Sequence, residues 1–347
     1  MTLPIEQMVN GLTIEHDHFF RSCPNNPEMR ESTSLWLFEE HGAFGFPRLG
    51  IEAEASNWDN RRVQGNFAFA DGRVLDGAGR GPAHASLDAS GQPSVLGAGP
   101  LSFRCLEPFR TWQVEYSGDA ADGTVSQQIR GNFAAKQRCP VSFTVTLEMV
   151  TPAWVQDNSP AKVAQMSAAD ATEAANMGIG WRFEHLFRGA GTLHVDGQPR
   201  SFNAVGLRVK RQSVRPLSGF RGHCWQSAVF PDGRAFGYIA YPPREDGQAY
   251  NQGYIFQNGR MYPARATKIP WLRRIVGADD DVSLELESSL GTTRIHALSA
   301  LSTFRVGNPD IGGLNLHQGG ACYRWDDQEA YGMIERSAHE SLTTIGD

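Results

Sequence analysis

Cysteine is scarce in this sequence, and its spacing supports neither a covalent nor a metal framework. The five cysteines, Cys23, Cys105, Cys139, Cys224 and Cys322, are scattered, odd in number and never form a CxxC pair. Disulfide frameworks and zinc sites need paired or closely spaced thiols. We therefore expect reduced thiols and no zinc site.

Long apolar runs and an excess of basic residues are also missing. No run is long enough to span a bilayer, and the first twenty residues lack the basic and apolar regions of a signal peptide. The formal net charge is −6, whereas nucleic-acid binding needs a basic face. We expect a cytoplasmic protein with no transmembrane segment and no nucleic-acid partner.

The familiar catalytic and cofactor motifs do not occur. There is no GxSxG elbow, no P-loop and no HExxH, and the glycine-rich segment 77–84 does not join a strand to a helix. His16 and His18 lie two residues apart, but further ligands at a diagnostic spacing are missing. We therefore expect no nucleotide, nicotinamide or flavin cofactor and no metal.

What the sequence does contain is short alternating runs between turn residues. There are 37 glycines and 19 prolines. Four Asx-Gly pairs, Asp71-Gly72, Asp196-Gly197, Asp232-Gly233 and Asn258-Gly259, separate runs with strand patterning, and such pairs favour tight hairpins. The pattern predicts an all-β fold of sandwich or barrel type.

The composition changes between residues 151 and 178. Ser159 and Pro160 suit the start of a helix, and the alanine-rich run Ala161–Asn176 predicts one. We interpret 159–178 as a helical connector between an N-terminal β domain, 1–158, and a C-terminal β-barrel domain, 179–347.

The segment from Gly189 to Tyr241 carries much of the candidate chemistry. It holds a basic run that includes Arg208, then His223 and Trp225 on one predicted strand, and Tyr238 and Tyr241 on the next. A histidine among aromatic rings can act as general acid or base, and the arginines can hold a carboxylate or phosphate. A structural histidine, an aromatic core and a solvated strand face are the alternatives.

Two carboxylates are further candidates. Glu184 and Glu335 each lie between apolar neighbours on a predicted strand. An inward carboxylate usually pairs with arginine, and one left partly unpaired has a raised pKa and can donate a proton. Glu39, His41 and Asp59 have weaker support.

Several segments together resemble the AttH-like, carotenoid hydratase-related superfamily. They are LEPFRTWQVEYSG, FEHLFRGAGTLHVDGQ, GLRVKRQSVR, the W-x4-F-P-D-G motif from Trp225 to Gly233, and QGGACYRWDDQEAYGMIERS. The resemblance covers about Leu35 to Ser337. It implies two packed lipocalin-like β domains with a pocket in or between them. Related carotenoid hydratases, tocopherol cyclase-like proteins and fungal Diels–Alderases act on hydrophobic, unsaturated substrates without redox cofactors.

The chain departs from this superfamily in one segment. The family usually has R-D-H-S-W-G-x-R where this chain has RVKRQSVR, so Arg208 and Arg215 match while Lys210, Gln212 and Ser213 replace His, Trp and Gly. The family's Glu-Gln pair appears here as Glu184-His185. If the family histidine does chemistry, Lys210 has replaced it or the function is lost.

The first hypothesis is a cofactor-independent lyase, isomerase or cyclase for an isoprenoid, steroid-like or polyketide-like molecule. An acidic group would protonate an alkene or move a proton beside a carbonyl. The candidate catalytic residues are Glu184, His223, Tyr241 and Glu335. The candidate substrate-binding residues are Arg208, Trp225, Tyr238 and His41.

Two other classes stay open. A lipocalin-type carrier would use the same apolar pocket without acid–base residues against the ligand. A carbohydrate-acting β-sandwich would need paired carboxylates, for which Trp58-Asp59 is the one loop signal. In the first two cases the partner is a hydrophobic small molecule, and a homodimer is left open.

Overall fold

The structure is a computed structural model of the chain that describes residues 3–133, 137–215 and 219–346, and of residue 157 the backbone alone. Strands dominate it, and the α-helices are short: α1 Ile5–Val9, α2 Val125–Ile129, α3 Pro160–Val163 and α4 Ala168–Met177. No helix within these ranges has the length and apolar character needed to cross a membrane.

The first twelve strands form one sheet. They are β1 Met29–Glu39, β2 Phe44–Glu54, β3 Asn60–Phe69, β4 Arg73–Asp76, β5 Gly79–Pro82, β6 Val95–Ala98, β7 Leu101–Glu107, β8 Thr111–Thr124, β9 Arg138–Met149, β10 Trp154–Asn158, β11 Ile179–Val195 and β12 Gln198–Val214. The strands β1-β2-β3-β4-β8-β9-β11-β12 close into a ring, because β12 pairs with β1. Side chains such as Phe46, Trp112 and Phe143 fill its interior, as expected for eight strands.

The remaining strands build a second closed barrel. They are β13 His223–Val229, β14 Ala235–Ala240, β15 Asn251–Gln257, β16 Arg260–Lys268, β17 Arg274–Ile275, β18 Leu284–Ser288, β19 Gly291–Asn308, β20 Leu314–Trp325, β21 Gln328–Ala338 and β22 Thr344–Ile345. The barrel order is β13-β14-β15-β16-β18-β19-β20-β21, and β17 pairs with β22 outside it. Phe236, Tyr238 and Tyr323 pack inside. The prediction of an all-β protein with lipocalin-like barrels is confirmed.

The predicted hairpins at Asp196-Gly197 and Asn258-Gly259 are confirmed. Both turn residues of each pair have positive φ, 54° and 72° in the first and 52° and 72° in the second. Two successive left-handed residues match the right-handed twist of a hairpin, and Asx-Gly adopts them at little cost. These turns fix the register of β11 with β12 and of β15 with β16.

The predicted helical segment forms, but it does not connect the two barrels. α3 and α4 occupy 160–177, with Ser167 capping α4 through a 3.1 Å bond from the Asp170 amide. They join β10 to β11, which are neighbours in the first sheet. Strands β11 and β12 also belong to that sheet, so the chain passes to the second barrel after β12 and not at residue 179. The two-domain division itself stays a prediction.

A third core lies between the barrels. Trp36 on the outside of the first barrel meets Trp225 on the outside of the second, with ring centroids 4.7 Å apart and an interplanar angle of 75°. Leu207 and Met333 are buried beside them. Every residue of β13 is buried, because one face of this strand packs inside its own barrel and the other packs against the neighbouring barrel.

Candidate functional site

A cleft of about 130 Å³ opens beside this inter-barrel core. Its first wall is the outer face of barrel one, where Glu52, Ser32, Arg211 and Arg182 stand in one cross-strand row on β2, β1, β12 and β11. Its second wall is the outer face of barrel two, with side chains from β13, β20 and β21. The cleft therefore exists only because the two barrels pack together.

His223 and Glu335 form a hydrogen-bonded pair on the wall from barrel two. His223 Nε2 lies 3.0 Å from Glu335 Oε1, and His223 Nδ1 lies 2.7 Å from Ser337 Oγ. Trp225 pairs with Glu335, and His223 with Ser337, across β13 and β21. This register holds the imidazole between a carboxylate and a hydroxyl.

Glu335 is held ionised by its surroundings. Its Oε2 accepts a 2.6 Å hydrogen bond from Gln318 Nε2 and lies 3.7 Å from Arg48 Nη1. Burial alone would raise the pKa of Glu335, but the bond with His223 and the charge of Arg48 lower it to about 2. A permanent carboxylate beside an imidazole orients the ring and stabilises its protonated form.

The arrangement of Ser337, His223 and Glu335 resembles a nucleophilic triad, but the Ser337 hydroxyl cannot be reached from the cleft. Ser337 is 1% exposed and does not line the cleft, whereas His223 and Glu335 do. A nucleophilic hydroxyl must reach the substrate. Ser337 therefore orients His223 and is not placed to attack.

Arg48 reaches the cleft from a strained position in β2. Its φ is 111°, in a region that residues with side chains rarely adopt. The pairing of β2 with β3 shifts between Gly45 and Leu49, which marks a bulge. Arg48 then stacks over the Trp36 ring at 4.7 Å and donates to Gln64 Oε1 at 2.6 Å. Backbone strain of this kind is typical of functional sites.

Glu184 lies behind the cleft wall. It is fully buried, pairs with Arg182, and accepts a 3.3 Å hydrogen bond from Trp225 Nε1. Burial raises the pKa of Glu184 against the opposing charge of Arg182. Since Arg182 lines the cleft and also stacks 4.6 Å over Trp225, Glu184 positions these two groups.

Tyr241 faces the cleft with a hydroxyl that has no hydrogen-bond partner in the described part of the chain. Its ring centroid is 6.5 Å from that of His223, and Phe220 packs against both rings. Burial raises the pKa of Tyr241, while the charges of Arg215, Arg211 and Arg182 oppose the rise. The hydroxyl stays protonated near neutral pH and is available as a donor.

The cleft carries excess positive charge. Its lining contains six arginines and three carboxylates. The arginines are Arg48, Arg62, Arg182, Arg211, Arg215 and Arg305. Arg62 and Arg305 share Asp310 at the more exposed end, at 3.1 and 3.0 Å. The net charge of these side chains favours a ligand or intermediate with negative charge.

Two predicted binding residues lie away from the cleft. Tyr238 points into barrel two, where its hydroxyl donates to Gln226 Oε1 at 2.5 Å and lies 3.2 Å from Cys224 Sγ. Successive strand residues face opposite sides, so Tyr238 and Tyr241 cannot share one wall. His41 is an exposed residue of the turn between β1 and β2. Neither is placed to bind a ligand in this cleft.

Arg208 also lies away from it, inside barrel one. Its Nη2 donates to Asp17 Oδ1 at 2.6 Å, and its guanidinium stacks 4.1 Å over Trp112. Lys210 points the same way and pairs with Glu31 at 3.2 Å. The basic run therefore divides by strand alternation: Arg208 and Lys210 face the barrel interior, while Arg211 and Arg215 face the cleft.

Acid should destabilise this interior through His185, which lies opposite Arg208 on β11. Burial and the Arg208 charge lower the pKa of His185 to about 3, whereas an unfolded histidine titrates near 6.5. The folded state then binds fewer protons below pH 6.5, so its stability falls as pH decreases from 6.5 towards 3.

Urea unfolding at pH 7 and pH 5 measures this effect. Between pH 7 and pH 5, we expect the free energy of unfolding of the His185→Gln variant to fall by ~2 kcal/mol less than that of the parent, because glutamine takes up no proton on unfolding. The exposed His194→Gln serves as the control. Identical pH dependence in the parent and H185Q would contradict this assignment.

Sequence reasoning missed Arg48 and Arg182, which complete the charged lining. Pro47 inside a strand is a signal for a bulge, and Arg182 alternates with Glu184 in the run WRFEHLF. No group of three or more His, Cys, Asp or Glu side chains suited to a metal occurs within the described ranges.

These features define a class: an all-β protein of two closed eight-stranded barrels with an arginine-rich cleft between them. The chain belongs to the family described as Domain of unknown function (DUF7064), whose model matches residues 14–340. No curated protein matches the chain in sequence.

Solved structures share this fold. An AttH candidate from Nitrosomonas europaea aligns over 90% of this chain and 92% of its own, with 13% identity and a TM-score of 0.55. CghA aligns over 90% and 88%, with 11% identity and a TM-score of 0.54. Kievitone hydratase from Nectria haematococca has 11% identity over 93% of both chains and a TM-score of 0.49, too low to support an argument. At sequence identities this low, the comparisons show a shared AttH-like fold and nothing about activity.

Proposed function

We propose that the protein is a lyase or isomerase that moves a proton beside a carbonyl group, using side chains of the inter-barrel cleft. The observation that carries this proposal is the His223–Glu335 pair beside the Tyr241 hydroxyl in one cleft, where that hydroxyl has no hydrogen-bond partner among the described residues. A base and a hydrogen-bond donor that both reach a bound carbonyl compound are the groups that enolisation needs.

The charge of the cleft selects among the reactions that the sequence left open. A carbocation formed by protonating an isolated alkene would meet six arginines. The Trp36 and Trp225 rings, which could have stabilised a cation, already stack with Arg48 and Arg182. An enolate, in contrast, is stabilised by the positive potential of these arginines. The proposal is therefore proton transfer through an enolate.

His223 is the base in this mechanism. Beside the ionised Glu335 carboxylate, Nε2 carries the imidazole proton in the free protein. In the neutral tautomer that acts as the base, that proton has been exchanged through solvent to Nδ1, which donates to Ser337 Oγ, so Nε2 can leave Glu335 and take the proton of the acidic C–H. Glu335 remains ionised against Gln318 and Arg48 and stabilises the imidazolium. Tyr241 donates to the carbonyl oxygen as it gains charge.

The proton on His223 then decides the product. If His223 returns the proton to a carbon other than the one that lost it, the double bond is isomerised. In hydration, water adds to the β-carbon and loses one proton to His223, and the imidazolium then delivers that proton to the α-carbon of the enolate. Phe220, Ile239 and Leu316 add apolar surface to the cleft, which suits the isoprenoid, steroid-like or polyketide-like body proposed for the substrate.

The test is incubation of the purified protein in heavy water with paired compounds of these classes, followed by mass spectrometry. Each pair has the same skeleton, with a conjugated carbonyl in one member and an isolated alkene in the other. We expect deuterium incorporation, hydrates or isomers from the conjugated member alone. Conversion of the isolated alkene would contradict the enolate route, and binding without conversion throughout would favour the carrier.

A further inference from the structure

Two arginines of the cleft are left without a counter-charge. Arg211 and Arg215 lie four residues apart on the cleft side of β12 and just beyond it. Neither forms an ion pair with any carboxylate whose side chain the structure describes. Arg211 donates from Nη1 to the Met177 carbonyl at 2.9 Å, and the buried Nε of Arg215 has no partner among the described atoms.

The backbone register adds a like-charge contact to this arrangement. Arg211 is directly opposite Arg182 in the pairing of β11 with β12. Like charges directly opposite on one face of a sheet destabilise it. Burial and the charges of Arg215 and Arg182 lower the pKa of Arg211 well below its ordinary value. Arg182 has Glu184 as partner, so the uncompensated charge belongs to Arg211 and Arg215.

An uncharged donor lies between these two arginines on the same face of the chain. Ser213 is 2% exposed, and its buried Oγ has no hydrogen-bond partner among the described residues. It lines a smaller neighbouring pocket, here called the inner extension, which shares Arg182, Arg211 and Tyr241 with the cleft. Buried polar atoms without partners are uncommon in folded proteins and call for an explanation such as an unseen ligand.

We propose that Arg211, Arg215 and Ser213, here called the anion seat, bind an oxyanion carried by the substrate. Guanidinium groups hold carboxylates and phosphates through paired, charge-assisted hydrogen bonds. The substrate is then an amphiphile with an acidic end at the seat and an apolar, carbonyl-containing body that extends past Tyr241 to His223. This inference rests on the proposed function for its substrate class, while the seat itself rests on the three residues.

The location of the seat fits this assignment. Tyr241 lines both the main cleft and its inner extension, and its ring is 6.5 Å from that of His223. An acidic group at the seat therefore places the adjoining carbons beside the proposed donor and base. The seat fixes the orientation of the substrate and leaves the proton transfer to His223.

Calorimetric titration of the full chain with octanoate, octyl phosphate and octanol at constant ionic strength tests the seat. We expect the two anions to bind and octanol of equal chain length to bind at least tenfold more weakly. The tighter of octanoate and octyl phosphate identifies the oxyanion. Arg211→Met and Arg215→Met should each weaken anion binding by ~10- to 100-fold, because each removes a charged hydrogen-bond donor.

Matched variants separate the seat from general effects of charge or folding. Arg104→Met removes an exposed arginine of β7, outside the cleft, and should bind octanoate as the parent does. Because R211M removes a like-charge contact, its ligand-free melting temperature should equal or exceed that of the parent. Arg215→Gln replaces R215M if that protein does not fold. Equal binding of octanoate and octanol, or unchanged binding in the R211M/R215M double variant, would overturn the seat.

The His223→Gln variant separates this inference from the proposed function. It should retain octanoate binding, because His223 lies outside the seat. If H223Q keeps turnover but anion binding still depends on Arg211, the proton-transfer proposal fails and the seat stands. If H223Q loses turnover but substitution of Arg211 and Arg215 leaves anion binding unchanged, the anion seat is wrong and the proton-transfer proposal stands.

Discussion

Replacing His223 by glutamine should lower kcat by ~10²- to 10⁴-fold on any substrate that the heavy-water assay identifies, with a much smaller change in KM. This range is typical for the removal of a positioned general base. Glutamine can keep hydrogen bonds to Ser337 and Glu335, so the cleft should keep its shape while losing a group that takes up a proton.

Glu335 should behave as a positioning residue in the same assay. Its carboxylate holds His223 and has a pKa lowered to about 2, so it stays ionised throughout the physiological range. Glu335→Gln removes this charge, so the imidazolium formed during turnover is no longer stabilised, and kcat should fall while KM changes little. A merely structural role would lower the melting temperature without this selective loss of kcat.

The exposed turn residue His41 supplies the matched control, since His41→Gln changes the same atoms outside the cleft. We expect its kcat and KM to equal those of the parent. Turnover by H223Q within a few-fold of the parent would place the base elsewhere. Loss of activity in H41Q as well would contradict the location of the site.

Local signals in the sequence predict much of the fold. Asp196-Gly197 and Asn258-Gly259 were recognisable as turns because the required positive φ depends on the two residues alone. The alanine-rich segment was recognisable as helix, but the structure breaks it between Val163 and Ala168, where Ser167 begins a new helix. Barrel closure between β1 and β12 joins residues far apart in sequence, and no local pattern shows it.

The candidate site was harder to predict because it lies between two outer faces. Alternation shows that Arg208 and Arg211 face opposite sides, but it does not say which side lies against the other barrel. A usable signal is the run CWQSAVF, in which apolar residues occur on both faces, since strands buried on both faces give nearly continuous apolar runs. The cytoplasmic location and a homodimer remain predictions.

The largest effect on stability should come from Asp17, which joins the N-terminal segment to the inside of barrel one. Asp17 accepts hydrogen bonds from Arg208 at 2.6 Å, the Phe109 amide at 2.6 Å and Trp112 Nε1 at 3.1 Å. Asp17 and Arg208 have fully buried side chains. Burial opposes ionisation, but the charge of Arg208 and the hydrogen bonds from Phe109 and Arg208 keep the pKa of Asp17 below its ordinary value.

Asp17→Asn should therefore lower the free energy of unfolding by ~3–5 kcal/mol, because it leaves the Arg208 guanidinium buried without a counter-charge. Two nitrogens of that guanidinium already lack hydrogen-bond partners among the described residues, so the site has little capacity to compensate. Urea unfolding at pH 7 measures the change. As a control, Asp232→Asn breaks a more exposed pair with Arg234 and should cost less than about 1 kcal/mol.

The double variant Asp17→Leu/Arg208→Met distinguishes an unpaired charge from lost packing. Removing both charges should restore most of the stability that Asp17→Asn loses, because apolar side chains can replace a buried ion pair at small cost. An additive loss in the double variant would show that the hydrogen bonds to Phe109 and Trp112 dominate. If Arg208 instead bound substrate, Arg208→Met would raise KM at unchanged stability, which would contradict its position inside barrel one.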